Sequence, residues 1–337
     1  MSRRVQMLIG AGLAALLLWL FLRGTDLAEI GAELRRADYR WVLVATLLTL
    51  FANVQRAWRW RYLLMPIKTV GVGSLTSAIF IGWAFTALLP GRLGEVVRPV
   101  LIGRREDISK TAAFATVVLE RLFDLLTVLL VLVAYLLFFP LPSALDGEGA
   151  SIIAGMRVSG LAVLAGLVFV VAFLVGAQLM PERTDALLRR LLGWLPGRLG
   201  DRLLPFARSF LSGFAGIRDP KLLGAITLHS VLLWLNILVT YYLLFFAFDI
   251  ELPLYAAMPL IVIVVIGVMV PTPAAVGSFH LATELALVGL WGVSAEQAAG
   301  YAIVSHAMVF VPVTVIGLVL LSREGLSMRN IGEFEEA

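Results

Sequence analysis

Three charged residues, Glu120, Arg121 and Asp124, stand inside the apolar run "ISKTAAFATVVLERLFDLLTVLLVLVAYLLFF". If a helix begins near Ser109, Glu120 and Arg121 lie ~15 Å along its axis at 1.5 Å per residue, close to the middle of a bilayer. Asp124 follows at i+4 from Glu120 and i+3 from Arg121, which puts all three on one face. A charge at the centre of a membrane helix costs at least ~2.5 kcal/mol, so this face must meet protein or water. Arg121 could hold an anionic group there, with Glu120 and Asp124 positioning it or carrying protons. A structural ion-pair network accounts for the same residues.

A second charged set precedes it, in "FTALLPGRLGEVVRPVLIGRRED" over 85–107. Arg92, Glu95 and Arg98 are three residues apart, beside Pro90, Gly91 and Gly94. A Pro/Gly break frees backbone amides, and such helix ends attract anions. Arg92 and Arg98 add positive charge, and Glu95 can aim them. The plainer reading is a loop carrying the basic residues usual on the cytoplasmic side. The second half offers weaker groups. His280 and Glu284 are at i, i+4 after the break "PTPAAVGSF", and His306 lies in the last apolar run. His229 reads as a helix-packing residue. With no HExxH and no cysteine, a metal site is not expected. Asn53, Arg56 and Arg59 in "FANVQRAWRWRYLL" read as the end of a span, flanked by tryptophans of the interfacial belt, with Arg56 in reach of a lipid phosphate.

The chain that must position these groups is 60% hydrophobic and 15% charged over 337 residues, with a mean hydropathy of +0.95. Soluble domains carry about 45–50% apolar residues, so this is an all-α integral membrane protein. Without cysteine, disulfides and thiol catalysis are excluded. The net charge of +4 is small and does not call for a nucleic-acid partner. Six full spans are expected near 5–22, 40–64, 109–139, 152–179, 221–248 and 296–321, in one membrane domain covering 1–337. The N-terminal run lacks a small-residue cleavage site and reads as a retained span. Residues 25–38 read as an interfacial helix. Residues 181–220 read as an amphipathic cytoplasmic segment, with eight Lys or Arg up to Lys221.

Lys and Arg in short loops place both termini in the cytoplasm of a cell-membrane protein. The loops at 140–151 and 249–252 carry none and read as outside. The basic loop at 23–40 must then face outside against the rule. Parity requires 71–105 to enter and return from inside, and 253–292 from outside. Both are broken, at "LPGRLG" and "PTPAAVG". They are either re-entrant hairpins or pairs of short tilted helices. Residues 40–139 and 221–321 thus share one order, span, broken hairpin, span. At an offset of 183, Pro90 and Gly94 fall on Pro273 and Gly277. Opposite parity makes this an inverted repeat, whose paired breaks mark a midplane site.

"LLPGRLGEVVRPVLI", "TVVLERLFDLLTVLL", "PTPAAVGSFHLATELAL" and "SHAMVFVPVTVIGL" together resemble the lysylphosphatidylglycerol synthetase transmembrane-region family, over nearly the whole chain. That resemblance implies a bacterial or archaeal inner-membrane protein similar to a lipid flippase. It implies a first motif of Pro90, Gly91, Arg92, Gly94, Glu95 and Arg98, and a second of Glu120, Arg121 and Asp124. The third holds Pro271, Pro273, Gly277 and position 280, where many members carry Glu and this chain has His280. Bifunctional members add a cytoplasmic synthetase domain. About sixteen residues follow the last span here, so this chain is not expected to be an enzyme that aminoacylates lipids.

Three functions fit. The first is a translocator that takes the headgroup of an anionic phospholipid or polyprenyl-linked lipid between the two hairpins. Arg92, Arg98 and Arg121 would receive the phosphate, with Glu95, Glu120, Asp124, His280, Glu284 and His306 around it, and no cofactor. The second is an intramembrane transferase acting on a lipid-linked substrate. The third is a membrane scaffold. Self-association is compatible with each.

Overall fold

A computed structural model describes residues 3–88, 94–140, 148–192, 194 and 197–324. Every element among them is helical. The chain opens with α1 (Arg3–Leu22) and the short α2 (Leu27–Arg36). Then follow α3 (Tyr39–Leu64), α4 (Val72–Leu88), α5 (Gly94–Glu106) and α6 (Lys110–Phe138). The apolar α7 (Glu148–Leu179) leads to α8 (Pro181–Leu192) and α9 (Gly197–Ser212). The last part holds α10 (Pro220–Ala247), α11 (Ala257–Val268), α12 (Ser278–Trp291) and α13 (Ala295–Arg323). Side-chain caps set several starts. Asp38 accepts from the Arg40 amide at 2.9 Å, Asp219 from Lys221 at 2.8 Å, and Ser294 from Gln297 at 3.2 Å.

By length and apolarity, five helical stretches can cross a membrane: Lys110–Phe138, Ser151–Leu179, Pro220–Ala247, Pro273–Trp291 and Ala295–Arg323. A sixth is added if α1 and α2, bent by 85°, count as one span. The helix α3 is not in that set, although its 26 residues reach about 39 Å at 1.5 Å per residue. Its polar side chains keep its apolarity down, and they prove to be the ones that matter. The expected full spans therefore stand as helices at their expected positions.

The two expected hairpins are pairs of short helices. α4 and α5 have 17 and 13 residues, and α11 and α12 have 12 and 14. Within each pair, glycine lets backbone meet backbone. A Cβ added at Gly94 would lie 1.8 Å from the Gly82 carbonyl oxygen, and one at Gly267 would lie 2.9 Å from that of Ser278. The first break, including Pro90, Gly91 and Arg92, lies outside the described residues. At the second, Ala274 and Ala275 both hold positive φ, at 50° and 55°.

The order long, short, short, long recurs as α3–α6 and α10–α13, and the packing repeats with it. α3 packs on α10, α4 on α13 and α6 on α11. The counterparts α3 and α10 run antiparallel. Trp41 meets Phe246, Asn236 bonds to Leu48 and Gln55, and Arg59 bonds to Ser230. Two equivalent helices that lie antiparallel are related by an axis across them, so the repeat is inverted. One hairpin enters from each end of the bundle. The ends are also distinct. Lys68 reaches Glu106, Ser109 meets Ser209, and Arg105 pairs with Glu324 at one end. At the other, Phe139 stacks on Tyr255, Tyr255 packs tilted against Trp291, and Gln297 donates to the Phe248 carbonyl. Buried apolar residues form one large cluster around each hairpin, and Trp83 packs against both.

Candidate functional site

The site is built on α6. Glu120 and Asp124 are turned inward, at 0% and 7% exposure, by the helical spacing of the apolar residues around them. Glu120 Oε1 faces three guanidinium groups, Arg121 at 2.5 Å, Arg98 at 3.2 Å and Arg59 at 3.3 Å. Asp124 Oδ1 accepts from Arg59 at 2.7 Å and from the Trp234 indole at 3.1 Å. Its Oδ2 lies 3.3 Å from Arg121 and 3.8 Å from Arg56. Glu95, on the first turn of α5, approaches Arg121 at 3.8 Å. The guanidinium of Arg98 lies 5.1 Å over the Trp60 ring, whose N–H donates to Thr116.

This network joins α3, α5, α6 and α10, the core helices of both repeats. Its charges do not cancel. Counted over the described residues and with every group ionised, Arg56, Arg59, Arg98 and Arg121 face Glu95, Glu120 and Asp124, which leaves one positive charge in surplus among them. Hydrogen bonding is incomplete too. Arg98 Nε and Nη2, Arg121 Nε, Glu120 Oε2 and Asp124 Oδ2 are buried without a hydrogen-bond partner among the described residues. Buried polar groups are normally satisfied, and an exception needs a reason such as a missing ligand or water.

A cavity of about 500 Å³ opens beside the network, between the two hairpins. Arg56, Glu95, Arg98, Arg121 and Asp124 form its charged end. Ile261, Val264, Val265, Val268, Phe279 and Phe310 form a long apolar wall. Arg121 keeps 39% of its side chain accessible, while Arg59 has none. Arg121 is therefore open to a ligand, and Arg59 is locked behind it.

The structure thus puts Glu120, Arg121 and Asp124 on one face of α6, as their spacing requires, and brings Glu95 and Arg98 of α5 against them. Gly94, Pro271 and Thr272 also border the cavity, whereas Arg92 lies outside the described residues. The remaining predicted residues go elsewhere. His280, Glu284 and His306 do not line the cavity. The Gly277 amide donates to His280 Nδ1 at 3.4 Å, so this ring caps α12. His306 Nε2 donates to the Ala274 carbonyl at 2.8 Å and stacks on Phe310. These two rings, 4.6 Å apart, support the strained turn from behind. Glu284 lies a turn beyond His280, partly buried. Pro273 and Gly277 are covered by α1. A Cβ at Gly277, where φ is +82°, would meet Leu17 and the Ala14 carbonyl.

The interfacial reading of Arg59 is wrong. Side chains at a bilayer interface stay partly exposed, and Arg59 is fully buried between two carboxylates. Arg56 likewise faces the cavity. The available signal was the spacing of Asn53, Arg56 and Arg59, which puts three polar groups on one face of an apolar helix. Asn53 Oδ1 accepts from Trp83 and lines the same cavity.

Fold and site together define a multi-pass α-helical membrane protein with an inverted repeat and a charged cavity between broken hairpins. Residues 7–317 match the family described as lysylphosphatidylglycerol synthase TM region, and the chain belongs to it. It is 24% identical over 97% of its length to a UPF0104 membrane protein of Methanothermobacter thermautotrophicus, covering 98% of that protein. Over 128 residues, 38% of the chain, it is 33% identical to glycosyltransferase AglD of Haloferax volcanii, of which it spans only 20%. No solved structure matches the chain.

Proposed function

We propose that the protein is a lipid translocator, taking the headgroup of an anionic lipid into the cavity. The observation that carries this reading is the cavity's two-sided chemistry. An arginine-rich end, with more arginines than carboxylates among the described residues, adjoins an apolar wall, and a lipid has the same division. Arg121 and Arg56 receive the phosphate. Arg59, Glu120 and Asp124 hold them in place. The acyl chains lie against the apolar wall or the surrounding bilayer. The inverted repeat supplies the motion, because one hairpin opens toward each end of the bundle. Basic residues gathered at the Lys68–Arg105 end support its placement on the cytoplasmic side of the cell membrane.

A transferase reading takes its support from the name of the Haloferax relative. Each carboxylate at this site faces at least one arginine, which opposes its use as a general base. Reconstitution separates the two. Purified protein in liposomes should move a fluorescent phosphatidylglycerol between leaflets unchanged. Arg121→Gln should slow that movement about 10-fold or more, as the loss of a charged hydrogen bond of ~1.5–3 kcal/mol implies. Chemical conversion of a lipid donor without movement would instead favour the transferase.

A further inference from the structure

Glu284 is the lone acidic residue of α10, α11 and α12. It is partly buried within a span, and it has no hydrogen bond or ion pair among the described residues. The three carboxylates of the charged network each face an arginine instead. A charge inside a span is costly without a partner, so a carboxyl left without one marks a site for a cation.

The elements packed around α12 leave the proton as the cation that fits. α11 carries no titratable residue, and α1 has none between Arg4 and Arg23. Arg23 lies over the Trp19 ring at 5.3 Å. On α2, Arg36 pairs with Glu33, while Glu29 and Arg35 are exposed. α7 approaches α12 at Gly289 through Ile152, and its Arg157 is exposed. α13 brings His306, Glu296 in its first turn, and Tyr301, whose hydroxyl donates to the Tyr241 carbonyl. No cluster of three or more His, Asp or Glu that could hold a metal ion occurs among the described residues. His280 is one turn before Glu284 on the same face of α12.

This position is tied to the second break. α1 runs alongside α12, with Gly10 at Pro273, Leu17 at Gly277 and Phe21 5.1 Å from His280. The chain then bends by 85° into α2. α1 thus covers α12 as far as His280, and Glu284 stays partly open. From there α12 runs on to Trp291, at the end of the bundle that is outside in the proposed orientation. In the other direction, His280 lies 4.6 Å from His306, which stacks on Phe310 in the cavity wall. His280 Nδ1 accepts from the Gly277 amide, and His306 Nε2 donates to the Ala274 carbonyl. The two rings therefore brace the turn in which Ala274 and Ala275 hold positive φ, a conformation that alanine rarely adopts.

We propose, on the translocator reading, that Glu284 is a proton-binding site that couples lipid movement to a proton gradient. The proton adds to a carboxylate oxygen of Glu284 from the outer solution, and no other reactant is consumed. With the proton bound, the carboxyl is neutral and the packed arrangement closes. Without it, the carboxylate draws water to α12, and the cap at His280, one turn away, loosens. The second hairpin then moves at the turn that the two histidines brace.

Two measurements on the purified full chain test this. The first is pH-difference infrared spectroscopy over about pH 5–8, which reads the carbonyl stretch of a protonated carboxyl directly. The wild type should show a band that titrates in this range, and Glu284→Gln should lose it. The second uses liposomes with an imposed gradient of about one pH unit. The gradient should shift the leaflet distribution of fluorescent phosphatidylglycerol by up to about 10-fold, the worth of one proton per lipid. Glu284→Gln should abolish that shift, and Glu284→Asp, which keeps the carboxyl, should retain part of it. Absence of a titrating band at Glu284 would overturn the inference. So would a distribution indifferent to the gradient in protein that still equilibrates the lipid, and the translocator reading would then stand. A titrating band at Glu284 without lipid movement under any gradient would remove the translocator reading, and the coupling with it.

Discussion

Arg59 and Arg121 share the same two carboxylates but meet different surroundings. Arg59 is fully enclosed, and removing it leaves Glu120 and Asp124 without a principal partner. Breaking a buried ion pair costs ~3–5 kcal/mol, so Arg59→Met should lower the melting temperature sharply in tryptophan-fluorescence scans. Arg121→Gln should shift it far less, because that side chain is 39% accessible, while weakening lipid binding. Equal destabilisation by both would mean that the network is structural throughout. At this scale the sequence showed half of the site. Glu120, Arg121 and Asp124 are legible because charge inside an apolar run has few explanations. Arg59 is not, since tryptophans beside arginines also mark an interface, and only the packing of α3 against α6 and α10 separates the two. The histidines mislead for a related reason. A His one turn past a helix break can cap the helix as well as face a ligand, and His280 caps it.

The hairpins depend on close backbone approach. Gly94→Ala would place a methyl 1.8 Å from the Gly82 carbonyl and 2.2 Å from Thr86. It should part α4 from α5, lowering the melting temperature and lipid binding together. Gly82→Ala meets its nearest atom at 3.0 Å and should be clearly milder. Outside the spans, α8 and α9 are stapled by Asp185, which accepts from Arg208 at 2.6 Å and from Arg189 at 2.8 Å. The two Arg208 hydrogen bonds, then the one from Arg189, hold its carboxyl down to about 2, against an ordinary value of 3.8. A depressed carboxyl stabilises the folded form above its unfolded value and stops doing so as pH falls through the folded one. Limited proteolysis should thus find α8–α9 protected above pH ~4 and progressively less so toward pH ~2. Asp185→Asn should remove that dependence. The second break, at Pro273 and Gly277, was legible from Pro and Gly, while the first lies outside the described residues. Whether the hairpins were re-entrant loops or helix pairs was not legible, because that depends on the Gly82–Gly94 and Gly267–Ser278 contacts across each hairpin.

Across the whole molecule, the inverted repeat was legible from matched lengths and loop charge, and the antiparallel packing of α3 on α10 agrees with it. The cavity was not legible, because its walls come from both repeats and its apolar side looks like any membrane helix. The proposed translocation by alternating access requires the first hairpin to move against α13. Those elements are tied at one end, where the Ser77 hydroxyl donates to Glu324 at 2.8 Å and Arg105 pairs with it. The chain has no native cysteine, so Ser77→Cys with Glu324→Cys can be joined by a short, cleavable thiol cross-linker. Joining should stop lipid movement and cleavage should restore it. Undiminished movement in the joined protein would show that this end does not open.

The most direct measurement is the lipid content of gently purified protein, wild type against Arg121→Gln, read by native mass spectrometry and lipidomics. The account predicts an anionic lipid enriched over bulk membrane in the wild type and lost from a variant that still melts cooperatively. Bulk lipid alone on both folded proteins would contradict it.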